Sequence, residues 1–224
     1  MFDELSKRIA ALSPQQRAVF EQRLKQRGLQ APTLQTIPQR PATGAVPLSF
    51  GQQRLWFLDQ LEPSNPSYNG PSAVELSGPL DIAVLERSLN EVVRRHETLR
   101  TTFAEIDDQP VQVIAPTLTL PLQQIDLRDY PTTEREAEAQ RRAHAEFQQP
   151  FDLRSGPLLR ATLLQLDATE FLLLFTMHHI ITDGWSTELL VEEVATLYAA
   201  FVAGQHSPLP ELPIQYADFA IWQR

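Results

Sequence analysis

Hydrophobic positions recur along this chain at two periods, and the alternation between them outlines the elements. From residue 48 onward the helical period comes first. Ser49 to Leu61 reads as a helix, with Ser49 as its cap and Leu55, Phe57, Leu58 and Leu61 as its apolar residues. Asp81 caps a second helix whose Ile82, Leu85, Leu89 and Val92 share one face. Thr133 to Phe147 reads as a capped, alanine-rich helix, with Glu136 completing a capping box and Pro150 ending it. Ser186 to Val202 is a long helix with Leu190, Val194, Leu197 and Phe201 on one face. Between these lie strand patterns. Ser72 to Leu76 is one. Leu99 to Ile106 and Val111 to Ile114 form a hairpin around Asp107-Asp108-Gln109-Pro110, and Leu158 to Leu166 with Phe171 to Met177 form a second. Pro208, Pro210 and Pro213 mark a connection before the closing Tyr216 to Trp222. Hairpins mixed with separate helices predict an α+β sandwich, helices lying on a mixed or mostly antiparallel sheet.

The first 47 residues read differently. A helix is expected over Phe2 to Ala11. A second starts at the cap Ser13, with Pro14 in its first turn and Gln16 completing a capping box, and stops at Gly28. Its apolar stripe is thin, so residues 1–29 are either a helical surface element or a contact element for another protein. Residues 30–47 read as a linker, because Pro32, Pro38, Pro41 and Pro47 break helices and favour extended backbone. The main domain then begins near Leu48.

Composition narrows the class. At 224 residues, 42% apolar and 21% charged, the chain matches a soluble globular protein with one sizeable core or one lobe of something larger. The charge of -9 and the lack of a basic patch argue against nucleic acid. No stretch is long and apolar enough to span a membrane. Absence of cysteine excludes disulfides and thiolate metal sites, and a reducing cytoplasm fits.

The chemistry concentrates at His178-His179-Ile180-Ile181-Thr182-Asp183-Gly184, directly after the apolar run Phe171 to Met177. That run reads as a strand buried on both faces. Adjacent residues of an extended chain point to opposite sides, so His178 and His179 cannot readily share one metal ion. Acid-base or positioning chemistry by the histidine that faces a cavity is the better reading. Asp183 either supports that histidine or pairs with an arginine and locks the loop. Gly184 offers backbone freedom, room for a substrate, and an N–H for a developing oxyanion. Ser186 reads as a helix N-cap rather than a nucleophile, since no G-x-S-x-G surrounds it. Direct transfer between two substrates is therefore favoured over a covalent acyl-enzyme.

The run Met177 to Ser186, MHHIITDGWS, resembles the signature of condensation domains of nonribosomal peptide synthetases, in the chloramphenicol acetyltransferase-like superfamily. Three further segments match in the family's order: Leu48 to Leu58 (LSFGQQRLWFL), Arg95 to Phe103 (RHETLRTTF) and Tyr216 to Arg224 (YADFAIWQR). The resemblance implies amide-bond formation between an acyl or peptidyl thioester on an upstream carrier protein and an aminoacyl thioester on a downstream one. Phosphopantetheine would arrive on those carriers, with no cofactor attached to this chain. His179 would be catalytic, and Asp183 would pair with Arg95 in preference to Arg100. Trp56, Tyr68, Trp185 and Ser186 would line the substrate tunnel or its entrance, core packing being the other reading of Trp56 and Tyr68. The third motif's wording resembles domains joining two L-residues, and the double histidine argues against heterocyclisation relatives. Epimerisation relatives, a free-standing coenzyme A-dependent acyltransferase and a non-catalytic carrier-docking module are the alternatives. Family members have two lobes, so residues 48–224 are expected to be the N-terminal lobe, with the C-terminal lobe and a following adenylation domain as partners.

Overall fold

The computed structural model describes residues 37–41 and 45–224. The chain divides into two units, Met1–Ile37 and Pro38–Arg224, and every described element lies in the second. The two helices expected before Gly28 lie outside the described residues.

Two sheets organise the fold. In chain order the elements are β1 (Val46–Pro47), α1 (Phe50–Leu61), β2 (Asn69–Ser77), α2 (Ile82–Arg95), β3 (Thr101–Ile106), β4 (Gln109–Ile114), β5 (Leu122–Asp126), α3 (Thr132–Gln148), β6 (Leu159–Gln165), β7 (Glu170–His178), α4 (Gly184–Val202) and α5 (Tyr216–Trp222). The smaller sheet has the order β1-β4-β3 and the larger β2-β7-β6-β5. Pairing in the larger sheet is antiparallel except between β5 and β6, which run parallel. This is the α+β sandwich that the pattern predicts.

Local chemistry explains most boundaries. Ser49 caps α1, and Gln52 closes a capping box with it. Asp81 caps α2 through the Val84 N–H. Asp107 and Asp108 both take positive φ, which suits a two-residue hairpin between paired Ile106 and Gln109.

Four expectations are corrected. In α1 the inward residues are Gln52 and Trp56, while Phe57 and Leu61 are exposed. The buried stripe begins at a polar residue, which apolar spacing alone does not show. Helix α3 starts at Thr132, after Pro131, with no side-chain cap, so the Thr133–Glu136 box is not formed. Strand β5 has no counterpart in the sequence pattern, because only Leu122 and Ile125 of its residues are apolar and its partner is distant in sequence. The expected linker is partly structure: Val46 and Pro47 pair with β4, and Arg40 bonds Asp218 of α5.

The core lies on one face of the larger sheet. Leu173, Phe175 and Met177 of β7 pack with Leu89 and Val92 of α2 and Leu197 of α4. The opposite face carries a smaller cluster, Leu127, Leu164 and Leu174 against Ala139 of α3. Strand β7 is central to both, and it ends at the double histidine.

Candidate active site

The strand's alternation continues through the two histidines. His178 follows Leu172, Leu174 and Thr176 onto the α3 side; His179 follows Phe175 and Met177 onto the α2–α4 side. Their environments differ accordingly. His178 is 3% exposed, between the rings of Tyr68 and Phe151 at 6.2 and 6.3 Å. Its Nδ1 accepts the N–H of Ile180 at 3.1 Å, which requires that nitrogen to be unprotonated. Burial, and then the neighbouring His179, lower its pKa to about 4. His178 is therefore neutral at physiological pH and serves the backbone.

His179 is exposed, and its ring lines a cavity of about 310 Å³. The walls include Leu55 of α1, His96 and Thr98 after α2, Asp183, Ser186 and Leu190 around the start of α4, and Gln215 and Tyr216 at α5. The second, third and fourth motifs thus converge with the first on one pocket. Gly70 of β2 lies beneath the imidazole; a Cβ there would stand 3.2 Å from the His179 Cε1. The main-chain N–H of His179 donates to the Tyr68 carbonyl at 2.8 Å.

Asp183 has a different partner from the one expected. Its Oδ1 accepts the Ser186 N–H at 2.8 Å and the Ser186 hydroxyl at 2.6 Å. These donors hold its carboxyl below the usual carboxylate range, the hydroxyl first. Asp183, not Ser186, is the N-cap of α4. Arg95 instead pairs with Glu193 of α4 at 3.1 Å, both side chains buried, and donates to the Pro210 carbonyl. Arg100 donates to the Ala115 carbonyl and lies 3.8 Å from Glu97. A cap carboxylate finds its donors within its own first turn, so no arginine is needed to satisfy it.

The residues expected to line a tunnel separate. Ser186 lines the cavity. Trp56 does not; it is buried against Phe103 at 6.4 Å, with the Arg154 guanidinium over its ring. Tyr68 contributes its carbonyl to the His179 N–H and its ring to the His178 environment. Trp185 is 80% exposed and outside the cavity wall. Gly184 has no positive φ and nothing within 4 Å of an added Cβ, so it sits in an ordinary first helical turn. Sequence reasoning passes over Gln52 and His96. The signal for Gln52 is nevertheless present, a Ser-x-x-Gln box at the start of α1.

Comparison with known proteins shows the family. The family model for the condensation domain matches residues 42–224. The chain belongs to the condensation-domain family. It is 53% identical over 184 residues to a linear gramicidin synthase of Brevibacillus parabrevis, covering 82% of this chain and 2% of that one. Phosphinothricin tripeptide synthetase PhsC of Streptomyces viridochromogenes is 48% identical over 223 residues, covering 99% of this chain and 20% of the relative. Among solved structures, the starter condensation domain of rhizomide synthetase RzmA superposes with a TM-score of 0.74 at 28% identity, covering 81% of this chain and 43% of that one. The first condensation domain of the CDA synthetase gives 0.73 at 27% identity, covering 81% and 46%. The chain therefore spans less than half of each of these solved condensation domains and a small part of these synthetases.

Among the described residues no three His, Cys, Asp or Glu side chains gather to hold a metal, and no helix is long and apolar enough to cross a membrane.

Proposed function

We propose that residues 48–224 are the N-terminal lobe of a condensation domain that forms an amide bond in nonribosomal peptide synthesis, with His179 as its catalytic residue. The observation that carries this is the split between the two histidines. One is buried and neutral; the other lines a cavity to which all four family motifs contribute. The volume falls at the small end of ligand pockets, consistent with half of a tunnel completed by a C-terminal lobe.

The substrates would be an acyl or peptidyl thioester and an aminoacyl thioester, each on the phosphopantetheine arm of a carrier protein, in an L-to-L condensation. The amine nitrogen attacks the donor carbonyl carbon. The C–N bond forms, the C–S bond breaks, and the sulfur leaves as a thiol. This chain supplies the His179 imidazole, which aligns the amine and can accept the proton it sheds. Asp183, Gly184 and Ser186 begin the helix that closes the loop. Arg95 ties the end of α2 to Glu193 of α4 and to the Pro210 carbonyl, and Arg100 donates to the Ala115 carbonyl.

The test is intact-protein mass spectrometry of a loaded acceptor carrier, incubated with a loaded donor carrier and the complete domain. His179→Ala should lower the rate of condensed-mass formation at least about 100-fold at unchanged melting temperature. Unchanged turnover would remove His179 from catalysis. A second reading, a coenzyme A thioester donor, is favoured by one observation: a variant of the rhizomide starter domain was crystallised with C8-CoA and Leu-SNAC. Condensation with acyl-CoA in place of the donor carrier would select that reading.

A further inference from the structure

Ile180 and Ile181, which follow His179, have all four of their main-chain polar groups hydrogen-bonded, and two of those bonds come from side chains far away in sequence. The N–H of Ile180 meets the His178 ring, and the N–H of Ile181 meets the His178 carbonyl at 3.0 Å. The carbonyls face the other way. The Ile180 carbonyl accepts from Gln52 Nε2 at 3.3 Å, and the Ile181 carbonyl accepts from the Thr98 hydroxyl at 3.2 Å. Both carbonyl-bearing residues are themselves buried.

Gln52 is 2% exposed, a polar side chain inside an apolar core, and such groups are kept where they have partners. Its orientation is fixed. Oε1 accepts the Ser49 N–H at 2.9 Å, so Nε2 must point the other way, toward Ile180 and toward Gln112 Oε1 at 3.4 Å. Gln112 in turn donates Nε2 to the Pro47 carbonyl at 2.8 Å. Gln52 Nε2 therefore donates to two sides, to the residue after His179 and, through Gln112, toward the Pro47 carbonyl of β1, while its Oε1 accepts at the cap of α1. Thr98 braces the next residue from the turn after α2.

Resting on the reading of His179 as catalytic, we propose that Gln52 and Thr98 are positioning residues, which set the His179 imidazole by holding the carbonyls of Ile180 and Ile181. Neither has to touch substrate to act. A shift of about 1 Å in a reacting group can cost on the order of a hundredfold in rate, so small movements of this loop are sufficient.

The experiment uses the complete domain with both carriers and four variants. Thr98→Val keeps the shape and removes the donor; Thr98→Ser keeps the donor. Gln52→Glu keeps the acceptor for Ser49 and turns a carboxylate toward the Ile180 carbonyl. His179→Ala reports on the functional reading. Thr98→Val should lower kcat about tenfold and Gln52→Glu about 100-fold, with KM for either carrier unchanged and Thr98→Ser near the parent. In substrate-free, histidine-labelled protein, the imidazole NMR signals of His179 should shift or broaden in Thr98→Val and Gln52→Glu and stay in place in Thr98→Ser. Retained kcat, a change confined to KM, or a kcat loss with unmoved His179 signals would overturn the proposal, the last two pointing to substrate contact. If Gln52→Glu does not fold, the Thr98 pair decides alone. If His179→Ala keeps full turnover, the catalytic reading fails, and the NMR signals still decide whether the two side chains position the ring.

Discussion

The two faces of the larger sheet are held by different physics. On the α2–α4 side, one continuous apolar cluster runs from Leu48 to Phe201 and includes Leu173, Phe175 and Met177. On the α3 side the apolar cluster is small, and only Ala139 of the helix is buried. Polar clamps do the holding there. Arg135 donates to the carbonyls of Arg128, Tyr130 and Leu166, and Asn69 donates to those of Phe147 and Gln149, near the end of α3. The same strand thus offers two histidines two settings. The closely packed side opens at its end into a cavity, where His179 stands. The clamped side closes over His178. Identical side chains one residue apart meet opposite environments because the pleat turns them to opposite faces.

The largest effect should come from adjacent leucines on the two faces. Leu173→Ala should cost about 4 kcal/mol and Leu174→Ala about 2 kcal/mol in urea unfolding, since the thinner cluster under α3 can collapse around the gap. Equal costs would break the contrast. A smaller effect is pH-dependent. Folding lowers the pKa of His178 from 6.5 to about 4, so the unfolded chain binds the extra proton between those values. Its contribution is complete above pH 6.5 and is lost as pH falls toward 4, about 3 kcal/mol in all. The difference in unfolding free energy between the parent and His178→Asn should therefore narrow across that window; a pH-independent difference would contradict the buried, neutral ring. The smallest is at the cap of α4. Asp183→Ala should cost about 1 kcal/mol, read as a lower melting temperature, because the Ser186 N–H loses its acceptor. A rate loss at unaltered melting temperature would instead give Asp183 a direct part in the chemistry.

Local signals carry much of this fold. The caps at Ser49 and Asp81, the two hairpins and the apolar run of β7 each depend on residues within a few positions of one another, and each is legible in the sequence. So is the opposition of His178 and His179, because period-two alternation needs no tertiary knowledge. What escapes depends on distance. Strand β5 is defined by pairing to β6, some forty positions on. The partner of Arg95 is Glu193, and nothing near either residue announces it. Helix α4 offers two eligible caps, Asp183 and Ser186, three apart; the structure uses Asp183, and Ser186 donates to it from inside the first turn. The family motifs name the neighbourhood of the site, while the bonds that Gln52 and Thr98 make require coordinates.

Arg40 has a mechanical consequence. Its backbone N–H and guanidinium hold Asp218, and the guanidinium also meets Glu97 at 2.7 Å, while Gln39 donates to the Pro213 carbonyl. The second unit's first anchors on α5, on the segment leading into it and on the turn after α2 thus lie at Gln39 and Arg40, nine and eight positions ahead of Leu48, so a substitution there would act on the helix of the fourth motif.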